Sequence, residues 1–378
     1  MIPLCIPKMT GNEWKYIKEC LDTNWVSSVG KYVDLFEEKF KQYIGVEKAV
    51  VTINGTAAIH LALSLLGIGP GDEVIVPSMT FVASVNPILY VGAEPVFVDV
   101  CRDTFVMDVT KVEALITEKT RAILPVHLYG HLVDMESLMA IARKYNLYVI
   151  EDATEALGSE YKTRHGQWVK AGTIGDIGCF SFNGNKLITT GAGGMMVTNH
   201  IEMGEKAKFL STQAKVTEAN KAFSHPEIGY NFRMPNLLAA MGVAQLEQID
   251  EYIENKRNNA EKYNWLLSQI KGLTLPAEKE NVKNCYWLYS VIIEDEYGLV
   301  RDDLIKIMSN NGIETRPFFK PIHQMKPYLN YRHGDMWITE EISTKGLNLP
   351  SSVGLNEKDI EYICKVIDEN SRKSLIYR

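Results

Sequence analysis

In the stretch SFNGNKLITTGAGGMMVT (181–198), a single lysine stands among small residues, with apolar runs on either side. The pattern puts Lys186 on a turn between two buried strands, where an ammonium is costly unless something uses it. Desolvation favours the neutral form of a lysine, and a neutral amine attacks a carbonyl to form a Schiff base. Asp152 ends the apolar run LYVIEDA, where a carboxylate can face a cationic nitrogen. Asn54-Gly55-Thr56-Ala57-Ala58 joins a strand to a helix. Small residues there let backbone amides approach an anion, and the Thr56 hydroxyl adds a donor. Phe81 follows Thr80 after the next strand and is placed to stack on a flat ring. Taken singly, each has a bland reading: a Gly-Thr helix cap, a capping or ion-paired aspartate, a core phenylalanine, a surface lysine. Taken in order, they suit pyridoxal phosphate (PLP). The phosphate meets the Gly-Thr turn, the ring nitrogen meets Asp152 and the aldehyde meets Lys186.

The elements around these residues predict a repeating α/β layout. Strands are expected at 49–53, 73–77, 94–100, 122–130 and 147–153. Helices are expected after Asn54 as far as Gly67, over 80–92 despite Pro87, near 108–117 and over 135–146. Continuous apolar strands alternating with amphipathic helices indicate a mostly parallel sheet covered on both faces. Ligands of such sheets gather at the carboxyl ends of the strands, where the chemical residues fall. Before this core, Thr10-Gly11-Asn12-Glu13 reads as a capping box for a helix to about Asp22, and a second helix covers 33–44. After it, one long helix is expected over 235–268, then a strand at 287–293 and helices at 302–312 and 356–370. The expected division is a large domain, 1–250, and a small C-terminal α+β domain, 251–378. TRHGQWVK (163–170) reads as a surface hairpin.

Bulk composition narrows the function. The chain has 378 residues, 46% hydrophobic and 23% charged, with a net charge of −7. That balance speaks against a nucleic-acid surface, which needs a basic excess. The six cysteines form no CxxC and no zinc-spaced cluster, so no metal site and reduced thiols are expected. No apolar run reaches the roughly 18–20 residues of a membrane helix. MIPLCIPKMTGNEW lacks the features of a signal peptide, and a cytoplasmic location is expected.

At this point the sequence resembles the DegT/DnrJ/EryC1/StrS sugar-nucleotide aminotransferases, PLP enzymes of the aspartate-aminotransferase-like fold type I. The likeness is carried by NEWKYIKECLDTNWVSSVGKYVDLFEEKF, VTINGTAAIHLAL, GDEVIVPSMTFVASVNPI, LPVHLYGH, VIEDATEALGS, GDIGCFSFNGNKLITTGAGGMMVT, GYNFRMPNLLAAMGVAQLEQID and RPFFKPIH. The resemblance implies that Lys186 bonds the cofactor and that Asp152 partners the ring nitrogen. It implies Glu155 near the ring hydroxyl, Phe81 stacked on the ring, and Gly55, Thr56 and Ser181 around the phosphate. Asn231, in GYNFRM, matches a phosphate ligand reaching in from a second subunit, so a homodimer with shared active sites is expected. Trp25, Arg316 and His323 lie in segments that approach the sugar nucleotide.

L-Glutamate is the expected amino donor, and the freed Lys186 the base that moves its α-proton. The acceptor is expected to be a nucleotide-linked 4-keto-6-deoxy sugar used in glycan biosynthesis. EDATEALGS, SFNGNKLITT and FLSTQA favour UDP-4-keto-6-deoxy-N-acetylglucosamine. GNEWKYIKECLDTNWVSSVGKY favours the alternative, GDP-4-keto-6-deoxymannose. A dehydratase with the same cofactor is disfavoured because related dehydratases carry histidine at the Lys186 position. A regulatory module without turnover is disfavoured because the chain has no DNA-facing appendage and no basic tail.

Overall fold

The computed structural model describes residues 1–219 and 222–373. Its centre is a seven-stranded sheet in the order Lys48–Thr52, Gly194–Thr198, Ile177–Ser181, Tyr148–Asp152, Thr120–Ile123, Glu73–Pro77, Glu94–Val98. The five strands from Ile177–Ser181 to Glu94–Val98 run parallel. Gly194–Thr198 runs against both of its neighbours. The difference follows from the connections. Parallel neighbours need a crossover, supplied here by segments such as the helix Met135–Tyr145, whereas Ser181 and Gly194 are joined by the turn that carries Lys186. Glu73–Pro77 is buried along its whole length, as a strand covered on both faces must be.

The helix Lys31–Ile44 closes one flank. Phe36 and Phe40 on its inner face pack on Phe182 and Phe180, with ring centroids 5.2 Å apart in each pair. Gly45 ends that helix in the left-handed conformation at φ 83°, which glycine adopts without strain. Beyond the sheet, a four-stranded antiparallel sheet is ordered Leu273–Thr274, Tyr289–Ile293, Gly346–Leu349, Arg316–Pro317. Residues from the helices Ile249–Leu267, Arg301–Asn310 and Glu357–Lys373 share its apolar cluster. The chain's start joins this region, because Ile2 bridges Ile313.

Several elements differ from expectation. The single helix over 235–268 is two, Asn236–Leu246 and Ile249–Leu267, broken at Glu247 and Gln248. The helix expected over 80–92 is a 3-10 turn, Val82–Ser84, followed by Asn86–Tyr90; Pro87 sits in the first turn, where its missing N–H costs nothing. The helix near 108–117 is two 3-10 turns. The capping box does not close. Glu13 accepts from the Gly11 amide and the Gln245 side chain, and Thr10 donates to Gln248. TRHGQWVK does form a hairpin arm: Glu160–Lys162 pairs with Trp168–Lys170, and Val282–Lys283 pairs with the first of these. Among the described residues, no helix is long and apolar enough to cross a membrane and no side-chain cluster fits a metal ion. All six cysteines are free.

Candidate active site

The strand ends open into a cavity of about 410 Å³. The helix Gly55–Leu65 points its start into it. Asn54 caps that helix by accepting from the Ala57 amide at 2.8 Å, and the Gly55 and Thr56 amides ahead of it lie in the first turn, which makes no intrahelical bond of its own. Gly55 packs so closely on Ser181 that a Cβ built there would lie 2.9 Å from the Ser181 Cβ and 3.2 Å from Thr154 Cγ2. Only glycine allows that approach. Gly55, Thr56 and Ser181 all line the cavity, so the small, amide-rich corner predicted from the sequence is present.

Asp152 lies at the carboxyl end of a central strand and is 2% exposed. Its backbone is fixed by the Asp152 amide donating to Pro125 and the His127 amide donating to Asp152. Its carboxylate accepts from the Thr154 amide at 3.1 Å on one oxygen and from Ser84 Oγ at 2.6 Å on the other. The preceding Glu151 faces the opposite side of the strand. Fully buried, it accepts from His127 Nε2 and from the amides of Gly172, Ile174 and Gly175, which ties the strand to the loop behind it.

Lys186 sits on the turn between two buried strands, as predicted, with its amide donating to Asn183 O at 3.0 Å. Its neighbours differ from a purely small-residue lining. Nζ lies 3.4 Å from Glu155 Oε1 and 3.9 Å from the centre of the Trp287 ring. Trp287 in turn donates Nε1 to Asn185 O at 2.7 Å, which holds the turn in place. Glu155 also accepts from the Tyr129 amide at 3.0 Å, and Tyr129 takes a positive φ of 54° to offer it. Burial is the largest influence on Glu155 and pushes its carboxyl above the ordinary range, against the opposing pull of Lys186.

Phe81 and Arg316 also line the cavity. Phe81 is 55% exposed and tilts against Phe319, with centroids 5.9 Å apart. The single chain does not bring Trp25, Asn231 or His323 to the cavity. Trp25 lines a separate depression with Tyr32 and Asn236. Asn231 is exposed and bridges Thr212. His323 is buried, with one ring nitrogen 2.7 Å from Ser78 Oγ and the other 3.0 Å from Glu340. Ser84 and Trp287 were not found by sequence reasoning. The spacing of Ser84 four residues after Thr80 is the only local signal, and Trp287 gives none beyond an aromatic at the head of a strand.

These residues fit PLP. A corner too tight for any Cβ offers amides to a phosphate, a carboxylate waits at one strand end, and a lysine stands on the turn across the cavity. The fold and this site define a PLP-dependent aminotransferase of fold type I. The chain belongs to the DegT/DnrJ/EryC1/StrS aminotransferase family, whose profile matches residues 7–368. It is 43% identical over 369 residues to the GDP-perosamine synthase of Caulobacter vibrioides, covering 97% of this chain and 98% of that protein. It is 44% identical over 368 residues to the GDP-perosamine synthase of Escherichia coli O157:H7, with the same coverage. A sugar-aminotransferase candidate of Streptococcus pneumoniae, solved in its PLP form, superposes with a TM-score of 0.90 at 27% identity over 99% of each chain.

Proposed function

We propose that this sugar-nucleotide aminotransferase moves the amino group of L-glutamate to C4 of GDP-4-keto-6-deoxymannose. The observation that carries the nucleotide choice is the near-full-length similarity, at 43% and 44% identity, to two GDP-perosamine synthases. That similarity favours the GDP-linked acceptor over the UDP-linked one expected from the sequence blocks.

The cavity supports the roles proposed for the chain's own residues. PLP, when bound, supplies the electron sink for breaking the donor's Cα–H bond. Gly55, Thr56 and Ser181 would hold its phosphate, and Phe81 would cover its ring. Asp152 would meet the ring nitrogen, and Glu155 would lie by the ring hydroxyl. Lys186 Nζ would bond its aldehyde. As a free amine, Lys186 would take the α-proton of glutamate and return a proton on the other side of the transfer. Glu155 and the Trp287 face keep that amine on the cavity side while it is free. Arg316 offers a guanidinium at the mouth for an anionic substrate group.

Asn231 is exposed on its own subunit and away from that subunit's cavity, which supports a homodimer in which it serves the neighbouring site. The test offers the PLP-loaded protein glutamate with either keto sugar and follows 2-oxoglutarate and the amino sugar by mass. GDP-4-keto-6-deoxymannose should react faster by at least about tenfold in kcat/KM. A preference for the UDP sugar would overturn the nucleotide assignment.

A further inference from the structure

The carboxylate at the end of the Tyr148–Asp152 strand is held by a short chain of buried hydroxyls. Thr80, Ser84 and Asp152 are 1%, 2% and 2% exposed. Ser84 Oγ lies 2.6 Å from Asp152 Oδ2, and Thr80 Oγ1 lies 2.8 Å from Ser84 Oγ. An ionised carboxylate only accepts, and a hydroxyl has one proton. Ser84 therefore donates to Asp152, and Thr80 donates to Ser84. The second carboxylate oxygen takes the Thr154 amide at 3.1 Å. Donors from two directions fix the carboxylate plane, and a donor that itself accepts a hydrogen bond is polarised toward its acceptor.

We infer that Ser84, backed by Thr80, is a positioning residue that holds and aims the Asp152 carboxylate so that the proton of the Asp152–ring nitrogen pair stays on the ring. The inference rests on the proposed pairing of Asp152 with the cofactor ring. Ser84 acts through Asp152. It stands where the strand Glu73–Pro77 gives way to the 3-10 turn Val82–Ser84, and that turn sets the hydroxyl against the carboxylate.

The consequence is a change in charge on the cofactor ring. Without the Ser84 donor, the carboxylate competes better for the shared proton, and the ring loses positive charge. A less positive ring raises the pH at which the visible band of the PLP-loaded protein changes form, because a nearby positive charge favours loss of a proton from the lysine linkage. The experiment is a visible absorption pH titration of PLP-loaded native protein and the variants Ser84→Ala, Ser84→Thr, Thr80→Val and Asp152→Asn, with kcat and KM for glutamate measured alongside. Ser84→Ala should move the midpoint up by about one pH unit, in the same direction as Asp152→Asn, and lower kcat roughly tenfold with KM for glutamate little changed. Thr80→Val should give a smaller shift of the same sign, and Ser84→Thr, which restores the hydroxyl, should return toward the native midpoint. If Asp152→Asn shifts the midpoint and Ser84→Ala does not, Ser84 only packs and the inference fails. If neither shifts it, the pairing of Asp152 with the ring fails, and the inference with it.

Discussion

Gly55→Ala probes a tight contact in the proposed cofactor corner. The added Cβ would lie 2.9 Å from Ser181 Cβ, against ordinary contacts of 3.4–4 Å, so something must move by about 0.5 Å. Neither side can swing away. Ser181 Cβ is bonded directly to a strand in the middle of the sheet, and Thr154 Cγ2 closes the other side at 3.2 Å. Overpacking of this kind costs about 1–3 kcal/mol, and alanine recovers roughly 0.5–1 kcal/mol of helix propensity. A net loss of about 1 kcal/mol in stability is expected. The move also pushes the start of the helix Gly55–Leu65 away from Ser181, so the groups proposed to meet the phosphate no longer converge. PLP affinity should fall about tenfold, equivalent to about 1.4 kcal/mol. Urea unfolding of the cofactor-free protein reads the first quantity, and a PLP fluorescence titration reads the second. A variant that binds PLP within twofold of the native protein would refute the assignment of this corner to the phosphate.

Lys186→Ala should lower turnover at least roughly a thousandfold while PLP still binds non-covalently; near-native turnover would remove Lys186 from the chemistry. Burial raises the Glu155 carboxyl in the fold, so the folded state keeps that proton to higher pH than the unfolded chain. This contribution to stability is present below the ordinary carboxyl range and is lost as pH rises through the folded value. In cofactor-free protein, the stability of Glu155→Gln relative to native should therefore grow from pH 4 toward neutrality, and a pH-independent difference would contradict it. His131 is buried with a folded pKa lowered to about 4, chiefly by burial. Its neutral form is favoured, so its contribution is present above about pH 6.5 and lost as pH falls toward 4. The advantage of native protein over His131→Gln in urea should shrink by about 2 kcal/mol between pH 7.5 and pH 5. An equal difference at both values would count against this.

Residues whose role is set by local chain chemistry were legible in the sequence. Asn54-Gly55-Thr56 is a strand-to-helix junction with its cap written in it, and Asp152 and Lys186 are polar residues at the ends of apolar runs. Each is found where those patterns put it. Residues whose role is set by tertiary contact were not. Trp287 reaches Lys186 from just ahead of the strand Tyr289–Ile293, about 100 positions away, and Ser84 meets Asp152 across the intervening strand Thr120–Ile123. Glu247 and Gln248 break a helix with neither glycine nor proline to mark the place. The reversed direction of Gly194–Thr198 leaves no trace in composition, because a central strand is apolar whichever way it runs. Trp25, Asn231 and His323 rested on resemblance alone, and one chain's cavity does not include them.

The most direct test is the near-visible absorption spectrum of the purified protein with PLP, before and after L-glutamate. The native protein should show a visible band distinct from that of PLP held non-covalently by Lys186→Ala, and glutamate should bleach it, with release of 2-oxoglutarate in step with the amount of bound cofactor. A band that glutamate leaves unchanged would contradict transamination from this donor. A native spectrum matching that of PLP held by Lys186→Ala would contradict the role given to Lys186.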